Sequence, residues 1–243
     1  MNRINLLLIS IVTMTLLSCG DDEPNNFRID RTPVDLGLSV KWAPMNIGAS
    51  EPQAMGSLYG WGDSIGTRKP LNTEYPVTVS YRMVDGREIT NVEWGSPYFG
   101  GREPLADISG TDYDCARYLW NNDWRLPTKA EWQELIDRCE WTPVSGMEGA
   151  TGIVYRVTGP NGNSIIIPLG GINTTDINEF RGLVGNYWTS TLLPRSLQAE
   201  YDYQSTVACA AWAVNIVPNE SVLAKMKPQV RSFSLSVRPV AVK

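Results

Sequence analysis

The chain has 243 residues, with 21 Lys and Arg, 26 Asp and Glu, no His, and a formal net charge of −5. The absence of histidine excludes Ser-His-Asp and Cys-His catalytic arrangements and His-ligated zinc or haem sites. The negative charge, without a basic run, argues against nucleic acid as a partner. A hydrophobic content of 42% with 19% charged residues is that of a folded globular protein.

The first 18 residues have the pattern of an export signal. Arg3 precedes the apolar segment 4–17, which is shorter than the ~20 residues that a membrane-spanning helix needs. The segment ends in Leu16-Leu17-Ser18-Cys19-Gly20, which resembles the bacterial lipobox. This resemblance implies a diacylglycerol group on Cys19, cleavage before Cys19 and acylation of the new amino terminus, so that the membrane is contacted through a lipid anchor. The alternative is an ordinary cleaved signal with a chance cysteine.

The residues after Cys19 are acidic. Asp21, Asp22 and Glu23 resemble the export signal of Bacteroidota surface lipoproteins, and a solvated linker is the alternative interpretation. We therefore expect a signal peptide over 1–18, a lipidated acidic linker over 19–32, and an outer membrane lipoprotein exposed at the cell surface. Residues 33–243 contain no Gly/Ser-rich or Pro-rich linker and no repeat, which predicts a single domain.

The first predicted element is a hairpin. Val77, Val79, Tyr81 and Met83 alternate with other residues, Asp85-Gly86 is typical of a turn, and Ile89 and Val92 continue the pattern in a returning strand.

Two helices are predicted next. A short helix is expected over Asp112–Leu119, with Ala116 and Leu119 facing inward. A second helix follows Thr128-Lys129-Ala130-Glu131, which has the pattern of a capping box. Its apolar face repeats at helical spacing and comprises Trp132, Leu135, Ile136 and Cys139.

The rest of the chain favours strands. A second hairpin is predicted from Ile153–Val157, a turn over Gly159–Asn163, and a strand over Ser164–Ile167, whose isoleucine run indicates burial on both faces. Late strands are expected over Ala208–Ile216 and Leu235–Val240. Two helices among many short strands predict the α+β class.

Four segments together resemble a known family. They are Val34–Ala43, Trp120–Glu134, Tyr155–Pro168, and Gly185–Thr191 with the closing Ser236–Val240. In this order they are similar to the Fibrobacter succinogenes major paralogous domain, which is common in Bacteroidota lipoproteins and related to the formylglycine-generating-enzyme-like branch of the C-type lectin fold.

The resemblance implies a C-type-lectin-like domain with twisted antiparallel sheets and two main helices. Most of six tryptophans should then lie in the core, and these are Trp42, Trp61, Trp120, Trp124, Trp132 and Trp188. Two departures stand out: Ser234 occupies a position where the family usually has glycine, and the stretch Thr191–Arg231 is unlike the usual version.

The sequence does not favour an enzyme. Formylglycine-generating enzymes use a copper-binding cysteine pair near the carboxyl terminus, whereas Cys115, Cys139 and Cys209 all lie outside the last thirty residues. We therefore assign no catalytic residue, no metal site and no cofactor. A disulfide between Cys115 and Cys139 would close a loop of ~25 residues and add about 3 kcal/mol of stability. The alternative is that the cysteines are separate, small, buried apolar residues.

Two further kinds of site, a glycosidase carboxylate pair and a calcium-dependent sugar site, have partial support in the sequence. Asp112 with Asp114, or Asp176 with Glu179, would supply paired carboxylates for a glycosidase. Trp120–Asp123 and Glu51–Gln53 echo the calcium-binding motifs of true C-type lectins, but these two segments are about 70 residues apart, so coincidence is the favoured interpretation.

The segment Glu200–Gln204 is both polar and aromatic, as adaptable binding loops are. In this branch of the fold the corresponding region carries the binding face, which implies a ligand site. The candidate ligand-binding residues are Tyr201, Asp202, Tyr203, Gln204, Trp212, Asn215, Asn219 and Glu220. Separately, Asp63-Ser64-Ile65 fits a short Bacteroidota acceptor for O-glycosylation at Ser64.

These observations favour a non-catalytic, lipid-anchored surface module that binds an extracellular glycan or protein through the Thr191–Arg231 face. The first alternative is a structural or adhesin-scaffold subunit of an envelope assembly. A formylglycine-generating-like enzyme is the third hypothesis.

Overall fold

The computed structural model describes residues 29–65, 76–84, 87–94, 105–174, 178–194, 197, 210–231 and 233–241. Within these residues two helices lie among short strands, which confirms the α+β class. The helices are α1 (Cys115–Trp120) and α2 (Lys129–Arg138). The strands are β1 (Leu58–Gly60), β2 (Pro76–Val84), β3 (Arg87–Trp94), β4 (Trp124–Arg125), β5 (Glu140–Val144), β6 (Val154–Thr158), β7 (Ser164–Pro168), β8 (Ile172–Asn173), β9 (Asn178–Glu179), β10 (Gly185–Leu192), β11 (Ala210–Ile216), β12 (Ala224–Val230), β13 (Ser234–Ser236) and β14 (Val240–Ala241). Over the same residues, no helix has the length and apolar character needed to cross a membrane.

A seven-stranded sheet organises the fold. Its order is β12-β11-β10-β13-β8-β9, with β1 paired to β13. Strands β10, β11 and β12 follow each other as antiparallel neighbours. By contrast, β13 comes from near the carboxyl terminus and inserts beside β10 in parallel, with Tyr187 opposite Ser236. The sheet is therefore completed only by the last part of the chain.

The centre of this sheet is buried on both faces, because successive side chains of a strand point to opposite sides. Trp188, Ala211 and Ala213 belong to one apolar cluster, which we call the α1-side core. Tyr187, Val214 and Ile216 belong to another, which we call the α2-side core. Besides these, the α1-side core includes Trp61, Cys115, Ala116, Trp120 and Trp124, and the α2-side core includes Trp42, Trp132, Leu135, Val157, Ile165 and Ile167. The six tryptophans expected mostly in the core are all buried.

The two ends of the domain are joined. Trp42 forms a bridge with Val34 and another with Val240, and the Ala43 N–H donates to the Pro239 carbonyl at 2.9 Å. Strand β14 pairs with β4, which brings Ala241 opposite Trp124.

A buried cation lies at this junction. Arg238 is fully buried and donates to the Asn46 side chain at 2.8 Å, to the Ala43 carbonyl at 3.0 Å and to the Ile166 carbonyl at 2.7 Å. Burial lowers the pKa of Arg238 to about 10, so it remains charged at neutral pH.

Helix α2 agrees with its prediction. The Glu131 N–H donates to the Thr128 hydroxyl, and the Glu131 carboxylate accepts from the Thr128 N–H, which completes the capping box. Trp132 and Leu135 are fully buried, while Ile136 and Cys139 pack at the edge of the α2-side core.

Helix α1 is shorter than predicted, and its buried face is different. It begins at Cys115, with Asp114 as its N-cap, and buries Cys115, Ala116 and Trp120. Ala116 faces inward as predicted, but Leu119 is 38% exposed, so its assignment to the core was wrong. A helix of one and a half turns has too few residues for its periodicity to define an inner face.

Both predicted hairpins are confirmed. β2 pairs with β3 so that Val84 lies opposite Arg87, and β6 pairs with β7 so that Thr158 lies opposite Ser164. The isoleucine run of β7 is not buried on both faces, because Ile165 and Ile167 are buried but Ile166 is only half-buried. The predicted late strand over 235–240 is instead two short strands, β13 and β14, separated by residues 237–239.

Candidate functional site

Several predicted functional residues lie outside the described part of the chain. These are the lipidation residue Cys19 and the loop residues Tyr201, Asp202, Tyr203 and Gln204. Their assignments remain predictions. The other four ligand-site candidates lie on β11 and on the connection that follows it.

The two ends of β11 define two surfaces. We call the end where β10 finishes at Leu192 and β11 begins at Ala210 the loop end. We call the end where β10 begins at Gly185 and β11 finishes at Ile216 the turn end. Seven residues of β-strand separate the two ends by about 20 Å.

Trp212 lies near the loop end, but its side chain is only 5% exposed. It packs with Leu193 and Ala210 in a small apolar cluster separate from both cores. The Lys129 ammonium lies 3.3 Å from the centroid of its ring, a cation–π contact. Burial lowers the pKa of Lys129 below its ordinary value. Trp212 is therefore a covered residue beneath the loop end rather than an exposed anchor.

Asn215 is also internal. It is 8% exposed, and its side-chain amide donates to the Asn186 side-chain oxygen at 3.0 Å. Asn186 in turn donates to the Gly171 carbonyl at 3.3 Å. This chain of bonds joins β10 and β11 to the start of β8, so the Asn215 side chain makes an internal contact of the sheet and is not on an exposed face.

Asn219 and Glu220 are exposed, but they lie at the turn end. Asn219 has a positive φ of 66°, and Glu220 forms an ion pair with Lys225 at 2.7 Å. The loop residues 201–204 lie outside the described residues, so the prediction that Asn219 and Glu220 share a face with them stays a prediction.

At the loop end the last residues of β10 are held by their neighbours. Asp107 accepts from the Ser190 hydroxyl at 3.0 Å and from the Thr191 hydroxyl at 3.2 Å. The Thr191 oxygen also accepts from the Lys129 N–H at 3.1 Å, which attaches it to the first residue of α2. These bonds give the 193–209 connection a fixed point of departure.

Three exposed apolar side chains in the two connections at the turn end were missed by the sequence interpretation. Phe180, Leu183 and Val222 are 55%, 65% and 55% exposed. Leu183 precedes β10 by two residues, and Val222 precedes β12 by two residues. We call these three residues the turn-end patch. In the sequence, Phe180 and Leu183 stand on either side of Arg181-Gly182 and outside any predicted helix or strand. Two apolar residues beside a glycine turn were the signal that could have indicated exposed apolar side chains here.

Phe180 has an unusual backbone conformation. Its φ is 59°, in the left-handed region that a bulky residue rarely occupies. Its carbonyl accepts from the N–H groups of Leu183 and Val184 at 2.9 and 3.0 Å. The turn also fits closely against the neighbouring loop, because a Cβ on Gly152 would lie 2.6 Å from the Gly182 carbonyl oxygen. An exposed aromatic residue held in strain is a candidate for function.

The paired-carboxylate hypothesis finds no support among the described residues. Burial raises the pKa of Asp114 to about 6, against the effect of its hydrogen bonds from the N–H groups of Gly110, Leu126, Ala116 and Arg117. These donors occupy both oxygens of Asp114, which makes it a structural cap. Asp112 points into solvent and lies 3.5 Å from Arg117, while Asp176 lies outside the described residues.

Cys115 and Cys139 are free thiols, so the disulfide considered from the sequence is not formed. Cys115 belongs to the α1-side core, whereas Cys139 packs against the α2-side core, on the opposite face of the sheet. Burial raises the pKa of both thiols, which disfavours the reactive thiolate. Ser64 is half-buried beside the exposed Ile65, and its glycosylation remains a prediction.

In the described part of the chain, no group of three or more His, Cys, Asp or Glu side chains is arranged to hold a metal ion. Comparison of the sequence with protein-family models and curated proteins, and of the structure with solved structures, gives no significant match.

Proposed function

We propose that this protein is a non-catalytic, lipid-anchored surface module that binds an extracellular glycan or protein at the loop end. The observation that carries the proposal is the connection between β10 and β11. These strands are antiparallel neighbours, yet 17 residues, 193–209, separate them. A hairpin needs only two to five residues, and connections this long are usually functional.

The base of this connection is supported on both sides. The Asp107–Thr191–Lys129 bonds hold the end of β10, and the Trp212 cluster packs beneath Leu193 and Leu197. Binding segments are commonly carried by rigid scaffolds of this kind. The Tyr, Asp and Gln residues at 201–204 supply the composition of an adaptable contact surface.

The proposal extends to the fold and the location. The described residues contain two helices, a bridge between Trp42 and Val240, and a sheet that the late strand β13 completes. These features are consistent with a C-type-lectin-like domain of the resembled family. The lipobox-like sequence at Cys19 and the acidic residues after it support an outer membrane lipoprotein exposed at the cell surface. Replacing Cys19 with Ala should release the protein from the membrane fraction, and unchanged fractionation would contradict the anchor.

The binding proposal is tested by screening the protein against panels of glycans and envelope or host surface proteins. The variant Tyr201→Ala/Tyr203→Ala should fold normally and lose at least tenfold in affinity for any ligand found. The matched control is Leu183→Ser/Val222→Ser at the turn end, which should bind as the parent does. A ligand retained by the tyrosine variant would refute the loop-end site.

A scaffold subunit is the second candidate, and the turn-end patch favours it. Three exposed apolar side chains lie at the same end of the sheet as the exposed polar residues Asn219 and Glu220, and protein interfaces combine such apolar and polar residues. Cross-linking in intact cells followed by purification tests this function. A stoichiometric envelope partner that is lost with Phe180→Ser/Leu183→Ser, and kept with Tyr201→Ala/Tyr203→Ala, would favour the scaffold.

A further inference from the structure

The described chain begins beside helix α1. Ile29 packs against the α1-side core. The Arg31 guanidinium lies 4.6 Å from the ring centroid of Trp120, the last residue of α1. The path of the chain from residue 29 towards the amino terminus therefore starts at this helix.

The outer side of α1 carries two exposed apolar side chains beside the partly exposed Arg117. Tyr118 is 64% exposed and Leu119 is 38% exposed, while the opposite face of the helix is buried. Tyrosine combines an apolar ring with a polar hydroxyl, which suits the boundary between lipid and water. Neither side chain contributes to the core, so their exposure is not explained by folding stability.

We propose that the outer face of α1, formed by Tyr118 and Leu119, rests against the surface of the bilayer in which the protein is anchored. This inference rests on the proposed lipid anchor at Cys19. Only nine residues, 20–28, lie between Cys19 and Ile29, and the ten Cα-to-Cα steps that join them span at most about 36 Å when fully extended. The anchor thus keeps the domain close to the lipid surface, and the described chain enters the domain beside α1 through the Arg31–Trp120 contact.

Two side chains give only weak affinity for a bilayer on their own. The anchor changes this, because it makes the contact intramolecular and raises its effective concentration. Arg117 of α1 forms an ion pair with Asp112, three residues before the helix, and the protein is acidic overall. The contact should therefore depend on the apolar side chains and vary little with salt.

The test uses the full lipidated protein in phosphatidylcholine vesicles that contain a spin-labelled lipid as quencher. A fluorophore is attached at Leu119→Cys, or at Val222→Cys in the turn-end patch as the matched control. Both variants carry Cys139→Ser and Cys209→Ser, and thermal unfolding is compared with that of the parent. We expect lipid quenching at position 119 to be at least twofold greater than at position 222, and to fall when Tyr118→Ser is added.

The possible outcomes distinguish a failure of the proposed orientation from a failure of the proposed lipid anchor. Mass spectrometry first determines whether Cys19 is acylated, and an unmodified Cys19 would overturn both the anchor and the orientation. An acylated protein with equal quenching at positions 119 and 222 would overturn the orientation and leave the anchor standing. Full-length protein with Cys19→Ser should show little quenching at either position, whereas strong quenching at position 119 without the lipid would contradict the dependence on the tether.

Discussion

At the scale of single residues, Arg238 is the side chain on which separate parts of the chain converge. Its three hydrogen bonds reach Asn46, Ala43 and Ile166, and Asn46 also donates to the Tyr187 hydroxyl at 3.2 Å. All three acceptors are neutral, so the guanidinium forms the centre of a polar network inside the fold. Leaving buried acceptors without a donor costs about 1–3 kcal/mol each.

Replacing Arg238 with Met should therefore lower the free energy of unfolding by about 3–5 kcal/mol, since three acceptors lose their donor. Chemical denaturation at pH 7 measures this change. The matched control is Arg156→Met, because Arg156 is exposed on β6; its effect should stay within about 0.5 kcal/mol. Equal effects of the two substitutions would contradict the role of the network.

Glu131 has a role beyond the capping box of α2. Its carboxylate accepts from Arg125 at 2.9 and 2.5 Å and from the Thr128 N–H at 2.8 Å. Burial opposes ionisation, but the bonds from Arg125 and Thr128 outweigh it and hold the pKa of Glu131 below its ordinary value of 4.5. The folded state thus binds a proton at Glu131 less readily than the unfolded state does. The stability that Glu131 contributes is present above pH 4.5 and is lost as the pH falls below it.

We expect Glu131→Gln to lower the free energy of unfolding by about 1–3 kcal/mol at pH 7, because the charged bonds to Arg125 are weakened. The difference between parent and variant should shrink as the pH is lowered from 7 to 3.5. Urea unfolding across this range measures it, with the exposed Glu140→Gln as control. A difference that grew on acidification would show that the sign is wrong.

At the scale of elements, β12 lies at the outer end of the sheet order. An edge strand is open to pairing with another chain, and lysine and proline residues disfavour such pairing. β12 carries Lys225, Lys227 and Pro228, with Pro228 opposite Trp212 of β11. These residues make the edge unsuitable for strand addition.

Replacing Lys227 with Val and Pro228 with Thr should remove this protection and increase self-association above that of the parent. Size-exclusion chromatography with light scattering, over a range of protein concentrations, measures the change. Arg156→Val adds a similar apolar side chain to a central strand, β6, and should leave the mass unaltered. If neither variant associates, β12 is not the vulnerable edge.

At the scale of the whole molecule, an early segment of the described chain pairs with the last one. The segment around Trp42 pairs with Val240, β14 pairs with β4, and β13 lies between β10 and β8. The Trp42–Val240 bridge joins residues 198 positions apart, and the β14–β4 pair joins residues more than 100 positions apart. These contacts form only when the carboxyl-terminal segment is present, and they give the fold a high contact order.

A chain that ends at Ser236 should therefore lose cooperative unfolding and its near-UV circular dichroism, since Arg238 and β14 are removed. A chain that ends at Ala241 keeps every contact described here and should unfold as the parent does. Circular dichroism and thermal melting of the two truncated proteins measure this. Cooperative unfolding of the shorter chain would show that the C-terminal segment is dispensable.

Local patterns determined much of this molecule. The capping box at Thr128 determined the start of α2, and the turn residues at 159–163 determined the second hairpin. These features depend on neighbours in sequence, where hydrogen-bond geometry and side-chain periodicity act over a few residues. The same patterns were insufficient for Leu119, because so short a helix defines no face.

The tertiary structure decided where the candidate site residues lie. The sequence indicated Trp212, Asn215 and Asn219 by residue type, but a strand carries its residues to opposite faces and opposite ends. Trp212 was covered by Lys129, Asn215 paired with Asn186, and Asn219 placed at the far end of β11. These outcomes depend on contacts between segments that are distant in sequence, and no local pattern contains such contacts. The local sequence therefore determined the helices and hairpins. Only the packing of these elements placed the loop end and the turn end at opposite ends of β11.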